Sequence, residues 1–221
     1  DATRYIRIYT TPAARHSGKW DDTKYRMALT TDDVPISIKE VYTRIEGLQI
    51  ANTSFSKNYG YGIYLWGATG GDAGGSKISH NLFKNVQTAN SYHAGISSVA
   101  DISGIVYVFN NIVYDFNTTS SYGIQLNSDV AGVKFYVYNN TVVNCTTGYY
   151  NGGDQDIVAK NNIAQNCTDG FGGFTFDSAS NYNLSNLASD APGANSKNST
   201  TVSFVSTSTK DFHLAAADTA A

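Results

Sequence analysis

Three aspartates follow three glycines at one fixed offset. Asp101, Asp129 and Asp154 each stand six residues after Gly95, Gly123 and Gly148, and Asp156 lies two residues beyond the last. If those glycines stack, the carboxylates stack too, and at a spacing of about 5 Å they repel by roughly 1–3 kcal/mol per neighbouring pair. Splayed loops, raised pKa values or a bound cation would relieve this, and hard oxygen ligands at such a spacing suit Ca²⁺, the one cofactor expected here. Each Asp also sits in a turn-forming phrase (VADISG, NSDVAG, NGGDQD), where its side chain hydrogen-bonds its own backbone. Both readings stay open. Lys134 and Lys160 follow these aspartates closely and are candidates for a general base, or ordinary solvated charges.

A second set of residues works through its faces. Tyr61, Tyr64, Trp66, Tyr122 and Tyr150 fall within or just before short Gly-rich strands. Alternation puts Ile63 and Leu65 on one side and Tyr64 and Trp66 on the other. Outward rings with a flat apolar face and a polar edge suit sugars. The alternative is that the Gly-rich stretch 67–75 folds over them. His16, His80, His93 and His213 are dispersed with no metal or triad spacing.

These residues need a frame, and the chain repeats one. HNLFKN, NNIVYD, NNTVVN and NNIAQN begin at His80, Asn110, Asn139 and Asn161, with a weaker copy at Gly47–Asn52. Their last positions are spaced by 33, 30, 29 and 22 residues. A second landmark recurs at Gly62, Gly95, Gly123, Gly148 and Gly170. Such a period built on short strands marks a solenoid. Strands of three to five residues bury one face each when every coil pairs in parallel with its copy above. Asn side chains at equivalent turns can then hydrogen-bond from coil to coil. Cys145 and Cys167 directly follow two repeat copies and belong on successive coils, in an inward column with Thr53, Val86 and Phe116. Buried thiols and a disulfide are both compatible with that placement.

Composition bounds the rest. Of 221 residues 15% are charged and the net charge is −3, so a nucleic-acid binder is not expected. No apolar run approaches the length of a membrane span. Asn-X-Ser/Thr triplets and the absence of a starting Met and signal peptide suggest a processed, extracellular or cell-surface protein.

The Asn-Asn turns, the Gly-Ile strand starts and the phrase Tyr42-Thr43-Arg44-Ile45-Glu46-Gly47-Leu48-Gln49-Ile50 give residues 34–187 a resemblance to right-handed parallel β-helix repeat proteins. That group includes pectate-lyase-like enzymes and phage tailspikes. The resemblance implies an all-β, single-stranded right-handed parallel β-helix, a solenoid of about five to six coils with loop insertions. It would form one continuous domain: 1–33 as a first coil with an inserted basic loop, 34–187 as repeats, and 188–221 as a C-terminal flap and closing strand. Both ends are expected to be cut from a longer bacterial or phage-type chain. Enzymes of the group hold Ca²⁺ against a β-helix face. The paired-Asp and Gly-His-Gly motifs of its hydrolases and the Asp and Arg motifs of its classical lyases are missing here. The expectation is therefore a non-catalytic extracellular module for glycan recognition, adhesion or filament structure. The alternatives are a Ca²⁺-dependent polysaccharide lyase or glycoside hydrolase, and a tail-fibre segment. Expected partners are a glycan surface and further copies of the chain through exposed coil ends.

Overall fold

A computed structural model describes residues 3–28, 34–52, 59–67, 72–86, 92–98, 101–130, 132–153 and 156–221. The chain is all-β and visits three sheets in rotation. The first sheet stacks Arg7–Tyr9, Arg44–Glu46, Lys77–Ser79, Ile105–Phe109, Lys134–Tyr138 and Asp156–Lys160. The second runs from Met27–Ala28 through Gln49–Asn52, Leu82–Asn85, Ile112–Tyr114, Thr141–Val143 and Ile163–Gln165 to Leu184–Ser185. The third holds Ile36–Ile38, Gly60–Leu65, His93–Ser98, Tyr122–Leu126, Thr147–Asn151 and Asp169–Gly173. All pairings within these three sheets are parallel, an arrangement compatible with a parallel β-helix. Among the described residues there is no helix long and apolar enough to cross a membrane.

The repeat residues make the corners. Gly47, His80, Asn110, Asn139 and Asn161 join the first sheet to the second, and Tyr182 makes the equivalent corner after the isolated bridge of Asn181 to Lys160, all with φ between 54° and 75°. This left-handed conformation is cheap for Gly and tolerable for Asn, which explains the composition of the corner. The next residue of each copy builds a ladder. Asn81 donates from Nδ2 to Asn111 Oδ1 at 3.1 Å, Asn111 to Asn140 at 3.0 Å, Asn140 to Asn162 at 3.1 Å and Asn162 to Asn183 at 3.0 Å. Each Nδ2 also donates to a strand carbonyl of the preceding coil, as Asn140 does to Val108 O at 2.9 Å. The ladder starts at Leu48, whose backbone N–H donates to Asn81 Oδ1 at 3.0 Å. It closes at Asn183, whose N–H donates to Ser196 Oγ at 2.9 Å.

The glycine landmark has a different cause. Gly62, Gly95, Gly123, Gly148 and Gly170 lie in register along the third sheet, and none has positive φ. A Cβ on Gly62, Gly95, Gly123 or Gly148 would sit 2.6–2.9 Å from the carbonyl oxygen of the next glycine in the column. Only a bare α-carbon lets the coils approach this closely.

Inside, the columns are apolar: Ile45, Ile78, Val108 and Val137 from the first sheet, Ile50, Phe83, Val113 and Val142 from the second, and Ile63, Ile96, Ile124 and Tyr149 from the third. Cys145 and Cys167 are buried beside them as free thiols. Phe116 shares their inward position, but Val86 does not and is 44% exposed. Asp115, Asn144 and Asn166 turn with positive φ before the inward residue; Asn85 has no such turn, so the strand runs straight on and Val86 points out. Thr53 lies outside the described residues.

The outer face of the second sheet is apolar as well, and the chain's two flanks cover it. Leu82, Tyr114 and Val143 are buried beneath Phe212, with Trp20 and Phe204 at the margins. Phe212 belongs to an antiparallel pair, Phe204–Ser206 with Asp211–Leu214. That hairpin reaches the loop of the first coil through an antiparallel bridge between Lys19 and Asp211. Lys210 adds an ion pair to Asp115 at 2.8 Å.

Candidate functional site

On the third sheet, register decides which side chains neighbour one another. One outward column reads Tyr61, Ala94, Tyr122, Thr147, and the next reads Tyr64, Ser97, Gln125, Tyr150. The His93–Ser98 strand contributes only Ala94 and Ser97 to this face, both buried, between the tyrosines of the coils on either side. The result is a strip of small, buried residues between two ring clusters. Ser97 Oγ donates to Gln125 Oε1 at 3.2 Å along this strip.

The clusters are ordered by ring contacts. Tyr61 and Tyr64 stack with centroids 4.9 Å apart and planes within 5°. Trp66 meets Tyr64 edge-on at 5.4 Å, and the Lys39 ammonium lies 5.3 Å from the Trp66 ring centre. Opposite them, Tyr122 and Tyr150 pack at 4.7 Å. Burial, with nearby tyrosines, pushes the Tyr61 hydroxyl up to about 12, and Tyr64 and Tyr122 rise for the same leading reason. These phenols are hydrogen-bonding alcohols at any physiological pH, never phenolates. Ile63 and Leu65 are fully buried while Tyr64 and Trp66 are half-buried, so the alternation holds. Of the Gly-rich stretch 67–75, residues 68–71 lie outside the described residues.

The five aromatic residues singled out in the sequence thus share one face. The neighbouring Tyr149 does not: it is a core residue whose hydroxyl donates to Asn140 O at 2.8 Å. Sequence reasoning missed the strip residues Ala94 and Ser97 and their neighbour Gln125. Counting from the glycine landmark would have found them, since they occupy the positions of Tyr61, Tyr64 and Tyr150 on their own coils.

The charged candidates lie in loops and on the first sheet. Asp101 and Asp129 are exposed, Asp101 with a left-handed φ of 71°. Asp154 lies outside the described residues. Among the described residues no group of three His, Cys, Asp or Glu is placed to hold a metal ion. Asp156 sits in the first sheet, where Lys134 bridges it at 3.4 Å and Asp177 at 3.5 Å. Desolvation lowers the Lys134 pKa, but these carboxylates outweigh it and hold the ammonium above its ordinary value. A general base must release that proton. Lys160 pairs with Tyr138 at the far end of the same strands, four residues along from the level of Lys134. That separation is about 13 Å at an extended rise per residue.

Comparison with family models, curated proteins and solved structures finds no match for this chain.

Proposed function

We propose that the chain is a non-catalytic, extracellular or cell-surface glycan-binding module wound as a right-handed parallel β-helix of about five to six coils. Right-handed winding is what crossovers between parallel strands of one sheet adopt almost without exception. The reading rests on one observation: Tyr61, Tyr64 and Trp66 stand across the Ala94–Ser97 strip from Tyr122 and Tyr150. Rings held by mutual stacking lose little side-chain freedom when a flat sugar face settles on them. The half-buried tyrosine hydroxyls and the Gln125 amide are the polar groups beside the rings that sugar hydroxyls would meet. Polysaccharide lyase and hydrolase readings gain less, because Lys134 is held in two ion pairs and Lys160 stands apart from it.

The test is titration of neutral and acidic oligosaccharides, followed by calorimetry and tryptophan fluorescence. Trp66→Ala and Tyr150→Ala should each weaken binding about tenfold, the usual effect of truncating a ring anchor, with unchanged melting. A panel in which no oligosaccharide binds, or in which both variants bind like the parent, rules this face out.

A further inference from the structure

The two ends of the stacked sheets are finished differently. At the late end the chain closes each sheet with its own later segments. Over the first sheet, Asp177 N–H donates to Ile157 O and Asn181 N–H to Ala159 O, each at 3.0 Å. Over the second, Lys197 bridges Leu184 in parallel, and Ser185 N–H donates to Lys197 O at 2.9 Å. Over the third, Phe171 N–H donates to Asp190 Oδ1 at 3.0 Å, and the adjoining Ala191 is buried in the core.

At the early end the first sheet stops on a bare edge. Arg7–Tyr9 is its outermost strand, and among the described residues no strand pairs with its outer side. Ile8 heads an inward column, in register with Ile45 and then Ile78. Ile45 and Ile78 are fully buried, yet Ile8 is 41% exposed, and Ile6 before it is 50% exposed. A core column that ends on open isoleucines beside an unpaired edge is a template for a further strand.

That edge is complementary to itself. Arg44 N–H donates to Ile6 O at 2.8 Å and Thr10 N–H to Glu46 O at 3.2 Å, so Ile6, Ile8 and Thr10 turn their backbone groups toward the coil within. Alternation then turns the N–H and C=O of Arg7 and Tyr9 outward. A second copy related by a two-fold axis through Ile8 runs antiparallel and sets each Arg7 opposite the partner's Tyr9. These two pairs exchange N–H···O bonds in both directions, while the two Ile8 side chains meet as the close, non-hydrogen-bonded pair. The outer row suits the same register. The Arg7 guanidinium, paired with Glu46 at 2.8 Å, already lies 4.2 Å from its own Tyr9 ring, and the two-fold brings it beside a second one.

We infer that the Arg7–Tyr9 edge is a dimer interface, where two copies of the chain join their first sheets head to head across a two-fold axis at Ile8. Such an interface uses the same patch on both copies and closes on itself. The late ends are covered, so the pair has no open end to which a third copy could add. Self-association through coil ends thus yields a closed dimer in place of a filament. The inference does not depend on the glycan-binding reading.

The experiment is sedimentation equilibrium from micromolar to millimolar protein. The mass should rise from that of one 23.8 kDa chain to twice that value and no further. Ile8→Lys, which sets two ammonium groups on the axis, should stay monomeric throughout the range. Ile8→Cys should oxidise to a disulfide-linked dimer, because α-carbons of a non-hydrogen-bonded antiparallel pair lie about 4.5 Å apart, within disulfide reach. Val205→Cys, at an exposed position of the late hairpin, should not. A parent chain that is monomeric at millimolar concentration, masses that climb past two copies, a folded Ile8→Lys protein that still dimerises, or cross-linking of the Val205→Cys protein as fast as that of Ile8→Cys would each overturn the interface.

Discussion

Asn140 Oδ1 accepts two hydrogen bonds from Asn111, one from its backbone N–H and one from its Nδ2, each at 3.0 Å. One side chain thus satisfies the backbone of the coil below while its own Nδ2 serves Val108 O and Asn162 Oδ1. Asn140→Ala leaves the buried Asn111 N–H without its acceptor and removes the amide donor to the Val108 carbonyl, while the Asn111 Nδ2 keeps the Ile78 and Phe109 carbonyls. At about 1–3 kcal/mol for an orphaned buried group, urea unfolding should show a loss of about 1–3 kcal/mol. Asn139, its exposed neighbour, only needs to hold φ at 54°. Asn139→Gly should therefore change stability by under about 0.5 kcal/mol. Equal losses in the two variants would refute the division of labour within the Asn-Asn pair.

The glycines separate in the same manner. In Gly123→Ala the new Cβ would stand 2.5 Å from Val142 Cγ1 and 2.7 Å from Gly148 O. Overpacking of this kind costs about 1–3 kcal/mol or more. Gly132 has φ of 83° and nothing within 4 Å. There Gly132→Asn, which tolerates the left-handed region, should cost well under 1 kcal/mol, roughly the scale of that backbone preference. Thermal melts of the two variants decide it: an unperturbed Gly123→Ala protein would mean the coils are not in this contact.

Two carboxylates give opposite pH dependence. Arg7 holds the Glu46 carboxyl below its ordinary value, against partial desolvation and with help from Arg15. Its contribution is present above the unfolded pKa and is lost as pH falls through the lower folded value. Asp169 is raised by burial and by the neighbouring Asp190. Its folded form binds the proton more tightly than the unfolded chain, so stability falls as pH rises from about 3.8 through the folded value. Asp169→Asn should therefore stabilise the protein at neutral pH and change little at pH 3, whereas Glu46→Gln should destabilise it at neutral pH and change little in strong acid. Melting temperatures across pH 3–8 that move the same way in both variants would contradict this.

Cys145 and Cys167 are buried, free and unreactive on this account. Burial, with the neighbouring Cys167 thiol, pushes Cys145 well above its ordinary value. Native protein should react with a disulfide reagent at a negligible rate, and two thiols should titrate on unfolding. Zero thiols in the unfolded chain would show a disulfide instead.

Much of this frame was legible because the corners demand particular chemistry. Asn at a left-handed corner and Gly at a close approach leave a mark wherever the coil repeats, so counting from Asn110 or Gly123 recovers true register. The same counting would have exposed Arg44, Lys77 and Tyr107 as one column, since each stands three residues before its corner. What repetition cannot reveal is contact between parts that do not repeat. Trp20 and Phe212 meet on the outer face of the second sheet only because Leu82, Tyr114 and Val143 leave it apolar. The aspartates at that fixed offset lie in loops beyond the paired strands, and Asp154 falls outside the described residues, so strand register does not reach them. Val86 shows the same limit at a single residue: without the left-handed turn of Asp115 or Asn144, the column it should have joined passes it by.

The bridge from Lys19 to Asp211 joins residues 192 positions apart in the chain. A solenoid ordinarily behaves as a one-dimensional array, each coil answering only to its neighbours and free to fray from either end. Here the early loop and the late hairpin share one apolar patch on the middle coils, so opening the first-coil loop also loosens the hairpin's cover of Leu82, Tyr114 and Val143. Melting should accordingly be a single concerted transition, and refolding slow for the chain's size, because this fastening forms only after the intervening coils bring its two halves within reach.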